Sequence, residues 1–533
     1  GLVKHHVPLQ LVPCNLQPEY FFRISIFYAS NFLNMILNKS NLSAITSQAV
    51  QKPQISSFES PEKILQFGTG VLLRGLPDYF IDKANQQGIF NGRVVLVKST
   101  DSGGTDAFEE QDGLYSLCVR GIDKGEKVEE NRICSAISRV LSAKQQWDEI
   151  LKCAYNPQLQ IIISNTTEVG ITLVEEDIRQ KPPVSFPAKL LAFLYERYKA
   201  CDGRADGGMV IIPTELIVGN GNQLSSIVFK LAAYNKLEPA FMEWLKANNT
   251  FCNSLVDRIV PGKPAAEAKQ KIEDDLGYTD DLLIMAEVYR LWAIEGDDKV
   301  KKILSFASAD SGVIIAPDIE MYRELKLRLL NGTHTLSCGL AFLCGFNTVK
   351  DAMEDQVFGK FVHDIMLSEI APAIPAKVDA AEAERFGLQV LDRFRNPFIK
   401  HQWISITMQY TSKMKMRVAP VLLKYFADYS KTPRHIALGF AAYLLFMKAV
   451  TRESDGYKGE WNGKPYPIND DKAVYFFEQW KKYEADELVQ QVLSDSGLWG
   501  ADLSALPGFV KMVQNNLQHL LKEAPVTLKN IFQ

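Results

Sequence analysis

The sequence lacks the cysteine and histidine arrangements that hold metals or build disulfide frameworks. Its eight cysteines are scattered over 533 residues without a CxxC pair, and its seven histidines include no HExxH motif and no Cys/His cluster at zinc spacing. We therefore predict a mechanism without a protein-bound metal. The dispersed thiols favour a reducing cytoplasm as the location.

Long runs of one charge and long apolar runs are also missing. The chain has 59 basic and 63 acidic residues, a formal net charge of −4, which argues against nucleic acid or an anionic membrane as the main partner. The apolar stretch from Tyr20 to Leu37 is interrupted by Arg23, Asn31 and Asn34, so it is a poor signal peptide or membrane anchor. A small-molecule substrate is the expected partner, and the oligomeric state stays open.

The length and the 47% hydrophobic content predict two or three globular domains. We predict that residues 1–58 are an N-terminal extension and linker. Residues 1–34 are either an upstream extension, with the natural start at Met35, or a loosely docked tail. Asn41 to Glu62 is polar and rich in Ser and Pro, as linkers are.

A strand, a glycine turn and a helix follow in that order. The strand is predicted at Ile64 to Phe67, the turn is Gly68-Thr69-Gly70, and an amphipathic run follows through Ile81. These are the parts of a dinucleotide cradle, although Leu73 replaces the third glycine of GxGxxG. The candidate cofactor-binding residues here are Phe67, Gly68, Thr69, Gly70, Val71, Leu72 and Arg74.

The ends of later strands carry polar side chains. A second strand, Arg93 to Val97, ends in Lys98-Ser99-Thr100-Asp101. Ser99 and Asp101 are candidates for the adenosine ribose, which favours NAD, whereas Lys98 would tolerate the 2′-phosphate of NADP. Strands predicted at Leu159 to Ser164 and at Met209 to Ile212 lead into further candidates, or into ordinary capped turns: Asn165, Thr166 and Glu168 for the cofactor, and Glu215 and Asn220 for the substrate.

The rest of the chain has mainly helical periodicity. Ala265 to Ile294 reads as helix, Gly296-Asp297-Asp298 gives a boundary, and almost everything beyond it has apolar positions at 3.6-residue spacing. The predicted fold class is α/β, with an N-terminal Rossmann-type dinucleotide-binding domain at 59–297 and a C-terminal mostly α-helical substrate and catalytic domain at 298–533.

One stretch of the helical part, KLRLLNGTH from Lys326 to His334, combines three different polar heads. On an α-helix Lys326, His334 and Asn331 project at roughly 0°, 80° and 140°, so they share one sector. A lysine in apolar surroundings has a lowered pKa and can exchange a proton with an alcohol or a carbonyl, while the amide and the imidazole can hold oxygens. A charged helix end stopped by Asn331-Gly332 would give the same pattern.

Together these stretches resemble the long-chain polyol and sugar-acid dehydrogenases typified by mannitol dehydrogenase, over roughly residues 60 to 530. The shared features are the GxGxxxR turn, a Trp/Glu stretch and the KxxxxNxxH signature: Gly68, Gly70, Arg74, Trp292, Glu295, Lys326, Asn331 and His334. Within the family the chain is most similar to the sugar-acid branch, on the basis of Pro213 to Ile217, Asn220-Gly221 and Arg393 to Phe398. The mannitol enzymes carry Cys-Asp-Asn where this chain has Pro213-Thr214-Glu215. Glu215 therefore cannot be assumed to donate a hydrogen bond as that asparagine does.

The resemblance implies hydride transfer between nicotinamide and a sugar carbon without zinc, with Lys326 as the acid/base and Asn331 and His334 positioning oxygens. Lys413 is the first candidate for binding the substrate carboxylate, with Arg417 and Arg393 behind it, although Lys415 and Arg417 also fit a solvated basic helix face. The expected reaction is NAD-dependent reduction of D-tagaturonate to D-altronate in hexuronate breakdown. The alternatives are a fructuronate or mannitol activity and a non-enzymatic dinucleotide sensor.

Overall fold

A parallel six-stranded sheet organises the first half of the chain. The computed structural model describes residues 35–99, 104–167, 169–454 and 456–522. The strands of the first half are β1 Glu62–Phe67, β2 Arg93–Lys98, β3 Tyr115–Asp123, β4 Glu126–Cys134, β5 Ile137–Ser142, β6 Ile161–Ser164, β7 Val210–Pro213, β8 Thr250–Phe251, β9 Ser254–Asp257, β10 Ile284–Glu287, β11 Leu291–Glu295 and β12 Val313–Ala316. We call residues 62–316 the sheet half and residues 320–522 the helical half.

The main sheet has the order β5-β2-β1-β6-β7-β8, and all its pairs are parallel. Counted along the chain, this is the doubly wound order in which the connections reverse direction between β1 and β6. The runs VVLV, III and VII supply the β-branched residues that such buried strands favour. Successive residues of β1 face opposite cores, with Ile64 on one side and Leu65 on the other.

Short helices and two small sheets complete this half. The helices are Val71–Gly75, Pro77–Gln86, Asp106–Glu110, Trp147–Lys152, Phe186–Ala200, Asn220–Tyr234, Pro239–Asn248, Ala266–Leu276 and Asp298–Ile303. The small sheets have the orders β10-β3-β4 and β12-β11-β9. The helix predicted over Ala265 to Ile294 is therefore wrong beyond Leu276: Gly277, at φ +80°, ends the helix, and β10 and β11 follow.

The helical half has its own large apolar core. Its α-helices are Glu320–Leu325, Thr333–Leu343, Val349–Glu354, Gln356–Asp364, Ala380–Phe394, Trp403–Ile406, Tyr410–Lys413, Ala419–Asp428, Arg434–Phe446, Ala473–Lys482, Ala485–Ser494, Ser496–Trp499 and Phe509–Lys522. Three π-helical segments interrupt them, at Lys326–Gly332, Ile365–Ile370 and Met414–Val418. In the part of the chain that the structure describes, no helix has the length and apolar composition of a membrane span.

The helical half also contains a three-stranded sheet that the helical periodicity did not predict. Its strands are β13 Ala449–Glu453, β14 Gly456–Trp461 and β15 Lys464–Ile468. Asn462 and Gly463, both at positive φ, form the tight turn between β14 and β15, and Asn-Gly is the sequence signal for such a hairpin. The predicted fold class, a Rossmann-type unit followed by a mostly helical unit, is otherwise confirmed.

The segment before β1 is docked rather than free. Leu42, Ile45 and Val50 are buried against Leu276 and Tyr278, so the prediction of a linker from Asn41 to Glu62 is wrong for this stretch. Its few apolar residues pack against buried residues of the sheet half, and composition alone does not reveal this contact. Residues 1–34 lie outside the described residues.

Candidate active site

The glycine turn lies at the crevice of the main sheet. The backbone N–H of Gly68 donates to the carbonyl of Val97 at the end of β2, and the N–H of Asn165, after β6, donates to Phe67. Gly68 has φ +130°, and a Cβ there would lie 2.8 Å from Leu73 Cδ1 and 3.0 Å from the Asn165 carbonyl oxygen. Only glycine fits this position.

The space in front of the turn is open. A Cβ on Gly70 would meet no atom within 4 Å, and Val71 and Leu72 are only half-buried. At the end of β2 the buried Ser99 hydroxyl has no hydrogen-bond partner among the described residues. An open glycine turn beside an unpaired hydroxyl fits a dinucleotide, whose pyrophosphate needs close backbone approach and whose ribose offers hydroxyl groups.

Two of the predicted cofactor residues turn away from this space. Arg74 is buried against the rings of Phe108 and Tyr115, and its Nη1 donates to the Leu282 carbonyl at 2.6 Å. Burial lowers the pKa of Arg74. The prediction that Arg74 binds cofactor is corrected, since its side chain anchors the short helix to the segment that precedes β10. The Phe67 ring packs on Phe186, so only its backbone borders the turn.

Asp101 and Glu168, which the sequence also suggested for the cofactor, lie outside the described residues.

Glu215 supports the loop that follows β6. Its carboxylate accepts hydrogen bonds from the Thr166 N–H at 2.9 Å, from the Thr166 hydroxyl at 3.0 Å and from the Ser164 hydroxyl at 3.1 Å. Burial raises the pKa of Glu215, and these hydrogen bonds partly offset the rise. Asn165 donates to the Thr214 hydroxyl at 3.0 Å. Glu215 thus holds Thr166 in place.

Asn220, the other predicted substrate residue, is a structural amide. Its Nδ2 donates to the carbonyls of Pro213, Glu215 and Ser254, and its Oδ1 accepts from the N–H groups of Gly221 and Ser254. With every polar atom engaged and no exposed surface, it has no hydrogen bond left for substrate. It fastens β9 to the carboxyl end of β7.

Lys326 connects the helical half to the end of β9. Its Nζ lies 3.6 Å from the Asp257 carboxylate at the end of β9 and donates to the Val256 carbonyl at 3.2 Å. The side chain is 21% exposed, so it is mostly shielded from solvent. The sequence predicted apolar surroundings for this amine, whereas the structure places it beside a carboxylate.

The signature stretch is a π-helix rather than an α-helix. In the segment Lys326–Gly332 the backbone hydrogen bonds join residues five apart. Lys326 and Asn331 are five residues apart, so they lie about one turn from each other along the helix. The α-helix begins at Thr333, and His334 follows Asn331 by three residues on the same face. The three side chains therefore align more closely than the α-helical angles predicted, and π-helical turns are frequent at functional sites.

A buried ion cluster fixes the position of Asp257. The Arg393 guanidinium donates to both oxygens of Asp257, at 2.8 and 3.1 Å, and to both oxygens of Glu287, at 3.1 and 2.8 Å. Burial raises the pKa of Asp257, but the charges of Arg393 and Lys326 outweigh burial and leave that pKa below its usual range. Burial raises the pKa of Glu287, and Arg393 offsets only part of the rise. Arg393 is therefore committed to two carboxylates, and the prediction that it binds the substrate acid is corrected.

His334 is a neutral imidazole held between rings. It stacks on Phe394 at 4.0 Å with an interplanar angle of 3°, and His401 and Trp403 meet it edge-on. Burial lowers the pKa of His334 well below its ordinary value, and the positive charges of Arg393, Arg417 and Lys413 act in the same direction. Its Nε2 has no hydrogen-bond partner among the described residues, which leaves it available to a ligand.

Lys413 and Arg417 lie near His334 without acidic partners. Lys413 Nζ donates to the Ile406 carbonyl at 2.9 Å, and Arg417 Nη1 donates to the Thr335 hydroxyl at 3.1 Å. Burial lowers the pKa of each group. No carboxylate of the described residues forms an ion pair with either side chain. Lys415, by contrast, is exposed and donates to the Gly497 carbonyl.

Asp257 and Glu287 were not predicted from the sequence to belong to the site. Both are acidic residues that end a short apolar strand, SLVD in β9 and IMAE in β10, and acids in that position were the available signal. For Glu287 the signal was lost because Ala265 to Ile294 was predicted to be helical, and for Asp257 no strand was predicted. His401 lies edge-on to His334 with a ring centroid separation of 5.2 Å.

Two family models match the chain. One, described as the mannitol dehydrogenase Rossmann domain, matches residues 62–306, and the other, the mannitol dehydrogenase C-terminal domain, matches residues 318–521. The resemblance inferred from the motifs is confirmed.

Several relatives with curated names are similar over most of their length. The altronate oxidoreductase of Bacillus subtilis (strain 168) is 40% identical over 465 residues, which cover 86% of this chain and 93% of the relative. Those of Cronobacter sakazakii and Pectobacterium carotovorum are 39% and 36% identical, over 87% and 89% of this chain and 95% and 98% of the relatives.

Two solved structures share the fold. The mannitol 2-dehydrogenase of Pseudomonas fluorescens, solved with NAD and D-mannitol, has a TM-score of 0.61 at 22% identity over 93% of this chain and 99% of its own. A substrate-free D-sorbitol dehydrogenase has a TM-score of 0.67 at 22% identity, over 89% of this chain and 100% of its own.

Proposed function

Because this chain belongs to the mannitol dehydrogenase family, we propose that it is an NAD-dependent altronate oxidoreductase that interconverts D-tagaturonate and D-altronate. The family supports NAD-linked oxidoreduction of a polyol or sugar acid, and the names of the relatives support the specific pair. The observation that carries the proposal is the Lys326 amine, which the helical half presents to the Asp257 carboxylate at the end of β9.

The sheet half fits NAD. The backbone of Gly68, Thr69 and Gly70, together with the start of the helix at Val71 and Leu72, would border the pyrophosphate. Ser99 would bind ribose, and Asn165 and Thr166 would border the nicotinamide end. When bound, NAD supplies the hydride acceptor for oxidation, and its reduced form supplies the hydride for reduction.

The chain's own residues would handle the proton. In reduction, Lys326 gives a proton to the ketone oxygen as the carbonyl carbon gains hydride, which produces the alcohol; in oxidation, Lys326 takes that proton back. The Asn331 amide donates a hydrogen bond to the same oxygen as charge develops on it. The unpaired Nε2 of neutral His334 holds the oxygen or an adjacent hydroxyl. Asp257 and Arg393 act indirectly, by fixing the position of the Lys326 amine.

The first test is the variant Lys326→Ala. We expect kcat for D-tagaturonate reduction to fall at least about 1,000-fold, because general acid catalysis is removed, while NADH affinity stays within about twofold. The matched control is Lys301→Ala, which removes a lysine on the surface helix Asp298–Ile303. Wild-type turnover in the Lys326→Ala variant would refute the catalytic role. If the protein were a dinucleotide sensor, wild type and Lys326→Ala would give the same cellular output.

Initial rates with D-tagaturonate, D-fructuronate and D-fructose then compare the related activities. The proposal expects D-tagaturonate to have the highest kcat/KM. A clear preference for D-fructose would exclude a sugar-acid enzyme, and a preference for D-fructuronate would assign the chain to the sister activity.

A further inference from the structure

Arg417 has the geometry of a carboxylate receptor. Its Nη1 is used to donate to the Thr335 hydroxyl, whereas its Nε is buried and has no hydrogen-bond partner among the described residues. Its Nη2 donates no hydrogen bond to another described residue. The side edge formed by Nε and Nη2 is therefore unused, and this edge matches the two oxygens of a carboxylate.

The same molecule shows what such an edge does when it is occupied. Arg393 donates from Nε and Nη2 to the two oxygens of Glu287, at 3.1 and 2.8 Å. Arg328 likewise pairs through its Nε and Nη2 with the carboxylate of Glu324, at 3.0 and 3.1 Å. Among these three half-buried or buried arginines of the helical half, Arg417 is the one for which the described residues supply no acid.

Arg417 is also held next to the reacting end of the site. The Thr335 hydroxyl that accepts from Arg417 donates in turn to the Asn331 carbonyl at 2.7 Å. Arg328 donates to the carbonyls of Met416 and Arg417, which ties the two π-helical segments together. A short chain of hydrogen bonds thus links the guanidinium to the turn that carries Lys326 and Asn331.

We propose that Arg417 binds the carboxylate of the substrate and selects sugar acids over the corresponding neutral sugars. The inference rests on the proposed function, since it places the acid end of a keto-sugar acid opposite the ketone that Lys326 serves. Lys413 adds positive charge nearby, and the burial of both cations without an internal acid means that an anionic ligand relieves the cost of that burial. Tagaturonate and fructuronate share the acid end, so Arg417 separates acids from neutral sugars and not one hexuronate from the other.

The test compares D-tagaturonate with D-tagatose, its neutral counterpart, in four proteins: wild type, Arg417→Met, Arg417→Lys and Lys415→Met. We expect Arg417→Met to raise KM for D-tagaturonate about 30- to 100-fold, the range for losing a bidentate charge-assisted contact, with kcat/KM for D-tagatose unchanged within about twofold. Arg417→Lys keeps the charge but not the fork, so it should lie between. Lys415→Met, a matched loss of charge on the same segment, should equal wild type.

Calorimetric titration of the NADH-loaded enzyme with D-altronate and with the neutral polyol D-altritol gives a second readout without turnover, because the reduced cofactor cannot accept hydride from the alcohol. Loss of selective D-altronate binding in Arg417→Met, with NADH affinity and unfolding midpoint unchanged, supports the proposal. Equal losses for acid and neutral ligands, or an unchanged KM for D-tagaturonate, overturn it.

The two proposals fail in different ways. If wild type does not reduce D-tagaturonate but still prefers another sugar acid over its neutral form through Arg417, the substrate assignment fails and the carboxylate site stands. If wild type reduces D-tagaturonate and Arg417→Met does so with the same KM, the function stands and the carboxylate site fails.

Discussion

Replacing Arg393 by methionine should reveal how much the buried ion cluster contributes to stability. Arg393 makes four hydrogen bonds to Asp257 and Glu287, and the three side chains are 5%, 6% and 1% exposed. Arg393→Met keeps most of the apolar volume but leaves two buried carboxylates without a shared partner. Removing one member of a buried ion pair typically costs about 3–5 kcal/mol, because the remaining charge stays out of water.

The cost should depend on pH in a defined direction. In wild type the Asp257 pKa lies below its usual range because Arg393 and Lys326 outweigh burial, so Asp257 adds stability above its unfolded pKa and loses it in acid. Without Arg393, burial should raise the pKa of both carboxylates. The folded variant then loses stability while the two carboxylates are ionised. This loss becomes smaller as pH drops through their raised pKa values. The difference from wild type should therefore be larger at about pH 8 than at about pH 5.5.

Urea unfolding followed by tryptophan fluorescence at the two pH values measures this difference. The double variant Arg393→Met/Glu287→Gln, which removes one of the stranded charges, should recover part of the loss, about 1–3 kcal/mol. If the single variant loses as much stability at pH 5.5 as at pH 8, or if the double variant is less stable than the single one, the charge-based account is refuted.

Two further predictions concern the glycine turn and His334. Gly68→Ala should destabilise the protein by about 1–3 kcal/mol, because Gly68 has φ +130° and an added Cβ would lie 2.8 Å from Leu73. Gly70→Ala should leave the unfolding midpoint unchanged but weaken NADH binding, measured by fluorescence titration. Equal effects of the two variants on stability would contradict the geometry. The His334 pKa is lowered in the folded state, so the stability present above about pH 6.5 is lost as pH falls through the pKa of the unfolded state. His334→Gln should therefore lose less stability than wild type between about pH 7 and pH 5.5 in the same unfolding assay. An equal loss in the two proteins would mean that His334 protonates freely in the folded state.

Local sequence patterns predict the central strands because buried parallel strands are short continuous runs of β-branched residues. The runs around Val94, Ile162 and Ile211 are short, β-branched and followed by polar residues, and each proved to be a buried parallel strand. The stretch from Leu282 to Glu295 carries no such marker, because its apolar residues fit a helical or an extended period equally well. Its state is decided by β3 and β9, with which it pairs across the chain.

The candidate site also combines residues that a local pattern identifies with residues that only long-range contacts identify. The KxxxxNxxH spacing identifies Lys326, Asn331 and His334 because they lie within nine residues of one another. Arg393, however, is 136 residues from Asp257 and 106 from Glu287, and no local pattern indicates that a basic residue in one half neutralises acids in the other. Whether an arginine binds substrate or an internal carboxylate depends on such long-range partners, so Arg393 and Arg417 look alike in the sequence and differ in the structure.

The π-helical turn at Lys326–Gly332 determines which one-residue deletions or insertions keep Lys326 and Asn331 on the same face of the helix. An i→i+5 turn contains one residue more than the α-helical turn it replaces. A chain with one residue fewer between the lysine and the asparagine would present both groups on one face of a regular α-helix, since four-residue spacing also aligns them. A one-residue gap here would therefore leave the lysine and the asparagine in register, whereas one further insertion would rotate the lysine away from the asparagine by about 100°.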